Sequence, residues 1–225
     1  MDRPYIICHM MASLDGRIDC DMTAQIGSEG YYQALIALNV DTTIEGRVTA
    51  LMHYAEKQVF IPKDSTPVGK EEFFRSSLEG NSWEAVADSQ GTLLWPEDDT
   101  PHRLCIVSCR ASREYLDYLR DRGISYIATG KDRVDLKRAS EILFSEFGAG
   151  RIGVVGGGHL NGGFLKAGLL DEVSMVYGAA IDGREGFPAA FDGIEAGHVH
   201  PYMLRLLDVR RMPDDSVWLR YSTQA

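Results

Sequence analysis

The segment with the strongest chemical signal is a run of glycines that follows an apolar strand-like stretch and opens a helix. It reads Gly156-Gly157-Gly158-His159-Leu160-Asn161, and two more glycines follow it. Three consecutive glycines allow a tight turn and let main-chain amides approach a ligand without obstruction by Cβ atoms. The helix adds free N–H groups and the positive end of its dipole, so the segment predicts an anion site that suits a pyrophosphate. A tight strand–helix turn without a ligand is the alternative.

This glycine run differs from two familiar nucleotide-binding motifs. A Rossmann fingerprint needs GxGxxG in the first strand–helix unit and an acidic residue after the second strand, whereas these glycines lie late in the chain. A P-loop needs Gly-Lys-Ser/Thr, which does not follow here. His159 either contacts a phosphate oxygen or lies exposed on the loop, and the sequence favours neither.

A second segment, Ala12-Ser13-Leu14-Asp15-Gly16, ends the first predicted strand. The small Ala12 admits a flat ring, and Asp15 can accept hydrogen bonds from a substrate hydroxyl or amino group. Asp-Gly is also common in ordinary β-turns, which is the competing explanation.

Two further segments place polar groups just past predicted strands. Gly46 lets a ligand approach the backbone, while Arg47 and Thr49 offer a cation and a hydroxyl at a helix start. Ser108 follows another strand, where it serves equally well as a helix cap. Because open α/β sheets bind ligands beyond the carboxyl ends of their strands, the shared placement of all four segments predicts one common crevice.

The predicted elements that position these residues alternate between strands and helices along much of the chain. Apolar and β-branched runs predict strands, and amphipathic stretches predict helices. The predicted strands are 4–11, 40–44, 104–107, 124–128, 152–155, 173–177, 199–209 and 217–221; the predicted helices are 28–38, 47–54, 112–122, 135–147 and one from the glycine run through 166.

The alternation predicts an α/β fold, in which parallel strands are joined by right-handed crossovers. The last two strands should pair antiparallel across a turn at 212–215, giving a mixed, mostly parallel sheet flanked by helices. Residues 62–101 differ from the rest in composition, and they contain four of the eight prolines. Segments 83–87 and 92–95 around Ser89-Gln90-Gly91 predict a β-hairpin there. We interpret this part as an irregular excursion from one domain that covers residues 1–225.

Composition limits the class of protein. Hydrophobic residues make up 44% of the 225 residues and charged residues 25%, which is ordinary globular usage. A formal net charge of -10 repels a phosphate backbone and argues against a nucleic-acid partner. No apolar stretch reaches the roughly 18 residues of a membrane helix. The four cysteines form no CxxC pair, so we expect free thiols and a cytoplasmic protein. His198 and His200 lack a third ligand at suitable spacing, so no metal is expected.

The order of these motifs resembles a known family. From Pro4 to about Tyr221 the chain is similar to the reductase domain of riboflavin-biosynthesis proteins, which belongs to the dihydrofolate-reductase-like superfamily. The resemblance is carried by the segments named above and by Ala167-Gly168-Leu169-Leu170-Asp171-Glu172-Val173. It implies a three-layer αβα fold, NADPH as hydride donor and a homodimer. It also implies that the glycine run binds the pyrophosphate and that Ala12, Gly46, Thr49 and Ser108 line the cofactor cleft.

Four positions depart from the family pattern on the substrate side. Val155 stands where a glutamate commonly precedes the glycines, and His9 replaces a lysine four residues before Ser13. Val107 and His53 each replace an aspartate. The cofactor half therefore resembles the family more closely than the substrate half. The zinc signature of cytidine deaminases is also absent from the sequence.

These observations predict an NADPH-dependent reductase that acts on a small heterocyclic or carbonyl substrate, similar to 5-amino-6-(5-phosphoribosylamino)uracil reductase. Asp15 is expected to position the substrate, together with Ser13 and the positions of His9 and Val155. The proton comes from Asp15, from His53 or from a water that one of them holds. The alternative is a non-catalytic nucleotide-binding module that keeps the cofactor cleft.

Overall fold

The structure is a computed structural model that describes residues 3–76, 80–97 and 102–223. The chain divides into two compact units. One consists mainly of Asp41–Gly150, and the other combines Tyr5–Val40 with the segment from Arg151 onwards. We call them the central unit and the terminal unit. No helix in the described ranges has both the length and the apolar character that crossing a bilayer requires.

The elements follow one another in chain order. They are β1 (Tyr5–Ala12), α1 (Cys20–Ile26), α2 (Glu29–Leu38), β2 (Thr42–Gly46), α3 (Arg47–His53), β3 (Glu72–Phe74), β4 (Trp83–Ala87), β5 (Arg103–Val107), α4 (Arg113–Asp121), β6 (Ser125–Ala128), α5 (Leu136–Phe147), β7 (Arg151–Val154), α6 (Gly158–Lys166), β8 (Glu172–Tyr177), β9 (Arg205–Arg211) and β10 (Val217–Ser222).

The central unit contains strands in the order β3-β6-β5-β4-β2. The last four are parallel, and β3 pairs antiparallel with β6. Helix α4 begins at Ser112, whose side chain accepts a hydrogen bond from the amide of Tyr115. Its apolar side packs into a buried cluster on the sheet, to which Tyr115, Leu116 and Leu119 belong. This packing fixes the parallel strands whose carboxyl ends carry the predicted site residues.

The terminal unit contains strands in the order β7-β1-β8-β10-β9. Strands β7, β1 and β8 are parallel, and β10 pairs antiparallel with both β8 and β9. Helix α2 packs on one sheet face, where Ala34 and Leu38 contact a buried cluster with Ile7 and Trp218. Strand β1 is buried along nearly its whole length because neighbours flank it on both sides.

The predicted parallel strands and the antiparallel C-terminal pair are confirmed, whereas the hairpin predicted within 62–101 is wrong. Strand β4 is a central strand, parallel to both β2 and β5. The chain after it does not pair back, because the buried carboxylate of Asp88 accepts hydrogen bonds from the amides of Thr92 and Leu93 and turns the backbone away. Residues 77–79 and 98–101 of this segment lie outside the described residues.

Candidate active site

In the central unit the predicted site residues gather at one edge of the sheet. Strands β2 and β5 are both parallel to β4, so their carboxyl ends lie at the same edge. Gly46 is the last residue of β2 and precedes α3, which contains Arg47 and the partly buried Thr49. Ser108 follows β5 directly. His53 ends α3, where its side chain is exposed.

An acidic residue that the sequence analysis did not single out holds Arg47 at this edge. Arg47 Nε lies 3.9 Å from Asp88 Oδ1 and donates a hydrogen bond of 3.1 Å to Thr92 Oγ1. Asp88 itself is 2% exposed. The side chain of Arg47 is 42% exposed, so its guanidinium group can offer further donors to an anionic ligand.

Ser108 ties two loops together at the end of β5. Its hydroxyl donates a hydrogen bond of 2.6 Å to the carbonyl oxygen of Ser89, and the same oxygen accepts one from the Ser108 amide at 3.1 Å. The alternative role as a helix cap is wrong, because Ser112 caps α4. The buried Ser108 therefore fixes the backbone just past β4 and β5.

Glu45 immediately precedes Gly46 and is a carboxyl group whose pKa is strongly raised. Burial raises the pKa of Glu45 from 4.5 to about 7, and the nearby charge of Glu84 adds to the shift while Arg103 opposes it. A carboxyl group in this state is partly protonated at neutral pH. The sequence gives only a weak signal for this, namely an acidic residue inside an otherwise β-branched strand.

In the terminal unit, the turn after β1 is fixed by hydrogen bonds to Asp15. Ser13 is buried and donates a hydrogen bond of 2.6 Å to Asp15 Oδ1. The amides of Asp182 and Gly183 donate to Oδ1 and Oδ2 at 3.0 and 2.9 Å. These hydrogen bonds hold the pKa of Asp15 well below its usual range. The carboxylate is therefore ionised at neutral pH, where it can accept hydrogen bonds but has no proton to donate.

The glycine run forms a turn that leaves open space in front of α6. Gly157 precedes the helix with φ +79°, a conformation that favours glycine, and a Cβ at this position would meet nothing within 4 Å. No side chain caps the first turn of the helix. The amide of Leu160 already donates to the carbonyl oxygen of Gly157 at 3.0 Å, whereas the amides of Gly158 and His159 have no acceptor among the described residues. Free amides at a helix start are the arrangement that binds anions.

The next glycines are needed for packing. A Cβ on Gly158 would lie 2.3 Å from the carbonyl oxygen of Ala189, and one on Gly162 would lie 1.9 Å from that of Asp192. The amide of Asp192 in turn donates a hydrogen bond of 3.0 Å to the carbonyl oxygen of Gly158. A loop distant in sequence thus lies directly against α6. In the sequence, the repeated glycines are the one signal of this contact, and they do not say which loop makes it.

The remaining residues of the run differ in their exposure. Asn161 is buried and donates a hydrogen bond of 2.7 Å from Nδ2 to the carbonyl oxygen of Ala190, while its Oδ1 atom has no partner in the described residues. Leu160 is partly buried. His159 is exposed, and its ring lies against Gly193.

His9 occupies a closed environment in the terminal unit. It is fully buried, and its ring stacks on Tyr31 at 4.5 Å. Nε2 donates to the carbonyl oxygen of Tyr31 at 3.1 Å, because a carbonyl oxygen can only accept. In the neutral ring Nδ1 therefore accepts from the hydroxyl of Ser174 at 2.9 Å. Burial lowers the pKa of His9 to about 4. Neither ring nitrogen is left for a substrate, so the structure gives no support to substrate binding by His9.

Val155 follows β7 with a partly buried, apolar side chain that cannot donate or accept a hydrogen bond. Among the described residues, no three His, Cys, Asp or Glu side chains are grouped so that they could hold a metal ion.

Mixed sheets that carry a glycine turn and polar groups at the carboxyl ends of parallel strands define an α/β protein of dihydrofolate-reductase-like fold. A family of known proteins shares this layout. The RibD C-terminal domain family matches residues 4–218, so the chain belongs to that family, the reductase family of riboflavin biosynthesis.

Individual relatives agree with this membership. The riboflavin biosynthesis protein RibD of Chlamydia muridarum is 29% identical over 112 residues, which cover 48% of this chain and 30% of that protein. A pyrimidine reductase-like protein of Corynebacterium diphtheriae has a TM-score of 0.71 at 16% identity, covering 97% of this chain and 91% of the other.

RibD of Acinetobacter baumannii has a TM-score of 0.70 at 17% identity, covering 99% of this chain and 58% of the other. The chain therefore spans less than two thirds of the length of both RibD proteins. At these identities the solved structures show the fold alone.

Proposed function

We propose that the protein is an NADPH-dependent reductase that transfers a hydride to a small heterocyclic or carbonyl substrate. The observation that carries the proposal is the open backbone at Gly157 in front of an uncapped helix, in a chain of the RibD C-terminal domain family. The names of the similar proteins, RibD and a pyrimidine reductase-like protein, support the same class of reaction.

The residues of the chain fit a dinucleotide in their chemistry. NADPH supplies the hydride when it is bound. In the terminal unit, the amides of Gly157 and Gly158 would bind its pyrophosphate. In the central unit, taken by itself, Arg47 offers a cation to an anionic group. Ala12 in the terminal unit and Gly46 in the central unit each present little side-chain bulk to a ligand. The exposed His159 is available to a phosphate oxygen.

We assign Asp15 the role of a hydrogen-bond acceptor that positions the substrate. Its Oδ2 atom accepts from the Gly183 amide, and a carboxylate oxygen has further lone-pair capacity for a substrate hydroxyl or amino group. Because the pKa of Asp15 is lowered, the proton that reduction requires comes from elsewhere. His53 or a water molecule that it holds is the remaining candidate, since this ring is exposed.

The physiological substrate need not be the ribosylaminopyrimidine phosphate of the riboflavin pathway. Val155 and Val107 stand where the family commonly has acidic residues, and neither side chain can form a hydrogen bond with a pyrimidine or a ribose phosphate. We further propose a homodimer in the cytoplasm. The homodimer follows from the family resemblance, and the cytoplasmic location follows from the reduced cysteines.

Calorimetric titration with NADPH and NADH tests the cofactor site. Gly157→Ala places a methyl group in the open space and strains the backbone, so we expect about tenfold weaker NADPH binding, equivalent to roughly 1.4 kcal/mol. Gly168→Ala is the matched control, because Gly168 follows the other end of the same helix with φ +65° and has equally open surroundings. A folded protein that releases no heat with either coenzyme would refute the proposal.

Turnover distinguishes the enzyme from the non-catalytic module. NADPH oxidation is followed with a panel of pyrimidines, pterins and small carbonyl compounds, including the ribosylaminopyrimidine phosphate. The reductase oxidises NADPH with at least one class and loses most of this activity in Asp15→Asn. Tight coenzyme binding without turnover on any compound favours the binding module instead.

A further inference from the structure

Residues 180–193, which we call the connecting loop, lie between β8 and β9 in the terminal unit. The connecting loop contacts the first turns of α6 and also the turn after β1 that carries Asp15. It contains no helix and no strand of the sheet. Its path is therefore fixed by individual hydrogen bonds to its neighbours, because it has no regular ladder of its own.

Helix α6 holds the connecting loop through one main-chain and one side-chain hydrogen bond. The amide of Asp192 donates to the carbonyl oxygen of Gly158 at 3.0 Å. Asn161 Nδ2 donates to the carbonyl oxygen of Ala190 at 2.7 Å. Asn161 is fully buried, so removal of its donor takes this partner from a carbonyl oxygen that lies away from water.

The connecting loop is also bound to the turn after β1. The amide of Ala190 donates to the carbonyl oxygen of Gly16 at 3.3 Å, and the amide of Ile18 donates to that of Pro188 at 3.2 Å. Two amides nearer the start of the loop donate to the carboxylate of Asp15 at 3.0 and 2.9 Å. The orientation of this carboxylate therefore depends on where the loop lies.

Ala190 takes part in both sets of contacts. Its amide is bonded to Gly16, and its carbonyl oxygen is bonded to Asn161. The two groups belong to one residue, so a displacement at one hydrogen bond moves the other. Ala190 is itself buried. One residue of the loop thus joins α6 to the turn of Asp15 within a single unit.

We infer that Asn161 is a positioning residue for Asp15 and acts through the connecting loop. By holding Ala190 it fixes the loop, and the loop supplies the amide donors that orient the carboxylate. The inference rests on the proposed function, in which the turn at Gly157 binds the coenzyme and Asp15 binds the substrate. A coenzyme that orders the start of α6 then also orders the turn of Asp15, and the coupling between the two ligands is reciprocal.

Hydrogen–deuterium exchange of the full chain tests the positioning role without any ligand. Asn161→Leu keeps the branched shape of asparagine and removes the donor, together with an oxygen that has no partner in the described residues. We expect the amides of residues 180–190 to exchange about tenfold faster in this variant, because local opening no longer breaks that hydrogen bond. The amides of β8 should keep their rates, which a general loss of stability would not allow.

Lys166→Gln is the matched control. Lys166 lies on the same helix and pairs with Glu195, which is outside the connecting loop. This variant should leave exchange at 180–190 unchanged. Asn161→Ala removes the same donor and replaces the leucine variant if that one does not fold. Wild-type exchange of the loop in a folded Asn161 variant overturns the inference, and so does equal acceleration in Lys166→Gln.

Addition of NADPH tests the coupling. We expect saturating NADPH to slow exchange of the amides at 182 and 183 in the wild type, and to leave them unchanged in Asn161→Leu. Bound NADPH that does not slow these amides in the wild type, or that slows them equally in the variant, overturns the coupling through Asn161. If NADPH does not bind, the coenzyme proposal fails, while the comparison without ligand still decides whether Asn161 positions the turn of Asp15.

Discussion

At the scale of single residues, burial changes the pKa of two groups in opposite directions. Removing a charged group from water disfavours its charged form, so the pKa of a carboxylic acid rises and that of an imidazole falls. Glu45 in the central unit reaches a pKa of about 7, and His9 in the terminal unit falls to about 4. Both groups therefore link folding stability to pH within an accessible range.

Replacing Glu45 should remove a pH-dependent loss of stability. Between pH 4.5 and 7 the folded state holds the proton more tightly than the unfolded state, so the free energy of unfolding falls as the pH rises. We expect Glu45→Gln to be more stable than the wild type at pH 8 by on the order of 1–3 kcal/mol, and to differ little at pH 4.5. Urea unfolding at both pH values measures this. Glu56→Gln at an exposed position is the control, and equal pH slopes for Glu45→Gln and the wild type would contradict the argument.

His9 should produce the opposite dependence. Its folded-state pKa lies below the unfolded value of 6.5, so stability is complete above that pH and is lost as the pH falls toward 4. His9→Gln keeps one donor and one acceptor but does not titrate. We expect the wild type to lose on the order of 2–3 kcal/mol between pH 7 and 4, with the variant losing clearly less. If chemical denaturation gives parallel curves for both proteins, the ring is not held neutral by burial.

At the scale of elements, the sequence predicts what depends on local pattern. The apolar run of β1 and the amphipathic spacing of α5 are local, and both elements are found within a residue or two of their expected bounds. Strand β3 has three residues, and the seven-residue α1 has no buried residue, so neither shows a detectable period. The false hairpin arose because β4 and the segment after it both look like strands. The buried carboxylate of Asp88 accepts hydrogen bonds from the second segment, and Leu93 of that segment forms an isolated bridge with Val59 instead of pairing with β4.

The candidate site residues also divide into those with a local sequence signal and those that depend on distant contacts. Strand ends and glycine turns are local signals, so Gly46, Ser108 and Gly157 could be proposed as site residues from the sequence, and this assignment stays a prediction. The loops that contact them come from distant parts of the chain, for which one sequence gives no register. The hydrogen bonds of Asp15 to the amides at 182 and 183 therefore appear only in the structure. The sequence did not indicate the burial of His9 either, because that burial also depends on contacts between distant segments.

Packing of the distant loop on α6 gives a prediction at this scale. A methyl group at Gly162 would collide with the carbonyl oxygen of Asp192 at 1.9 Å, and backbone yields less easily than a side chain. We expect Gly162→Ala to destabilise the protein by roughly 1–3 kcal/mol, the usual cost of overpacking. Gly197→Ala is the control, because a Cβ there would meet nothing within 4 Å. Thermal unfolding compares the two, and equal melting temperatures would show that the loop is not held against the helix.

At the scale of the whole molecule, both units build a core around central strands, and each core contains one fully buried cysteine. Cys8 in β1 belongs to the terminal unit and Cys105 in β5 to the central unit. Cys20 and Cys109 are partly exposed. The expectation of free thiols is confirmed for all four, so each unit contains both a buried and an accessible thiol.

Thiol titration should therefore report the two cores separately. We expect two thiols to react with a disulfide reagent in the native protein and the other two only after unfolding. Cys20 should react before Cys109, because burial and the charges of Glu71 and Glu72 raise the pKa of the Cys109 thiol and lower its thiolate fraction. Mass spectrometry after short labelling assigns each site. Early labelling of Cys8 alone would mean that the terminal unit opens in the native protein, and early labelling of Cys105 would mean the same of the central unit. Either result would contradict a strand buried on both sides by its neighbours.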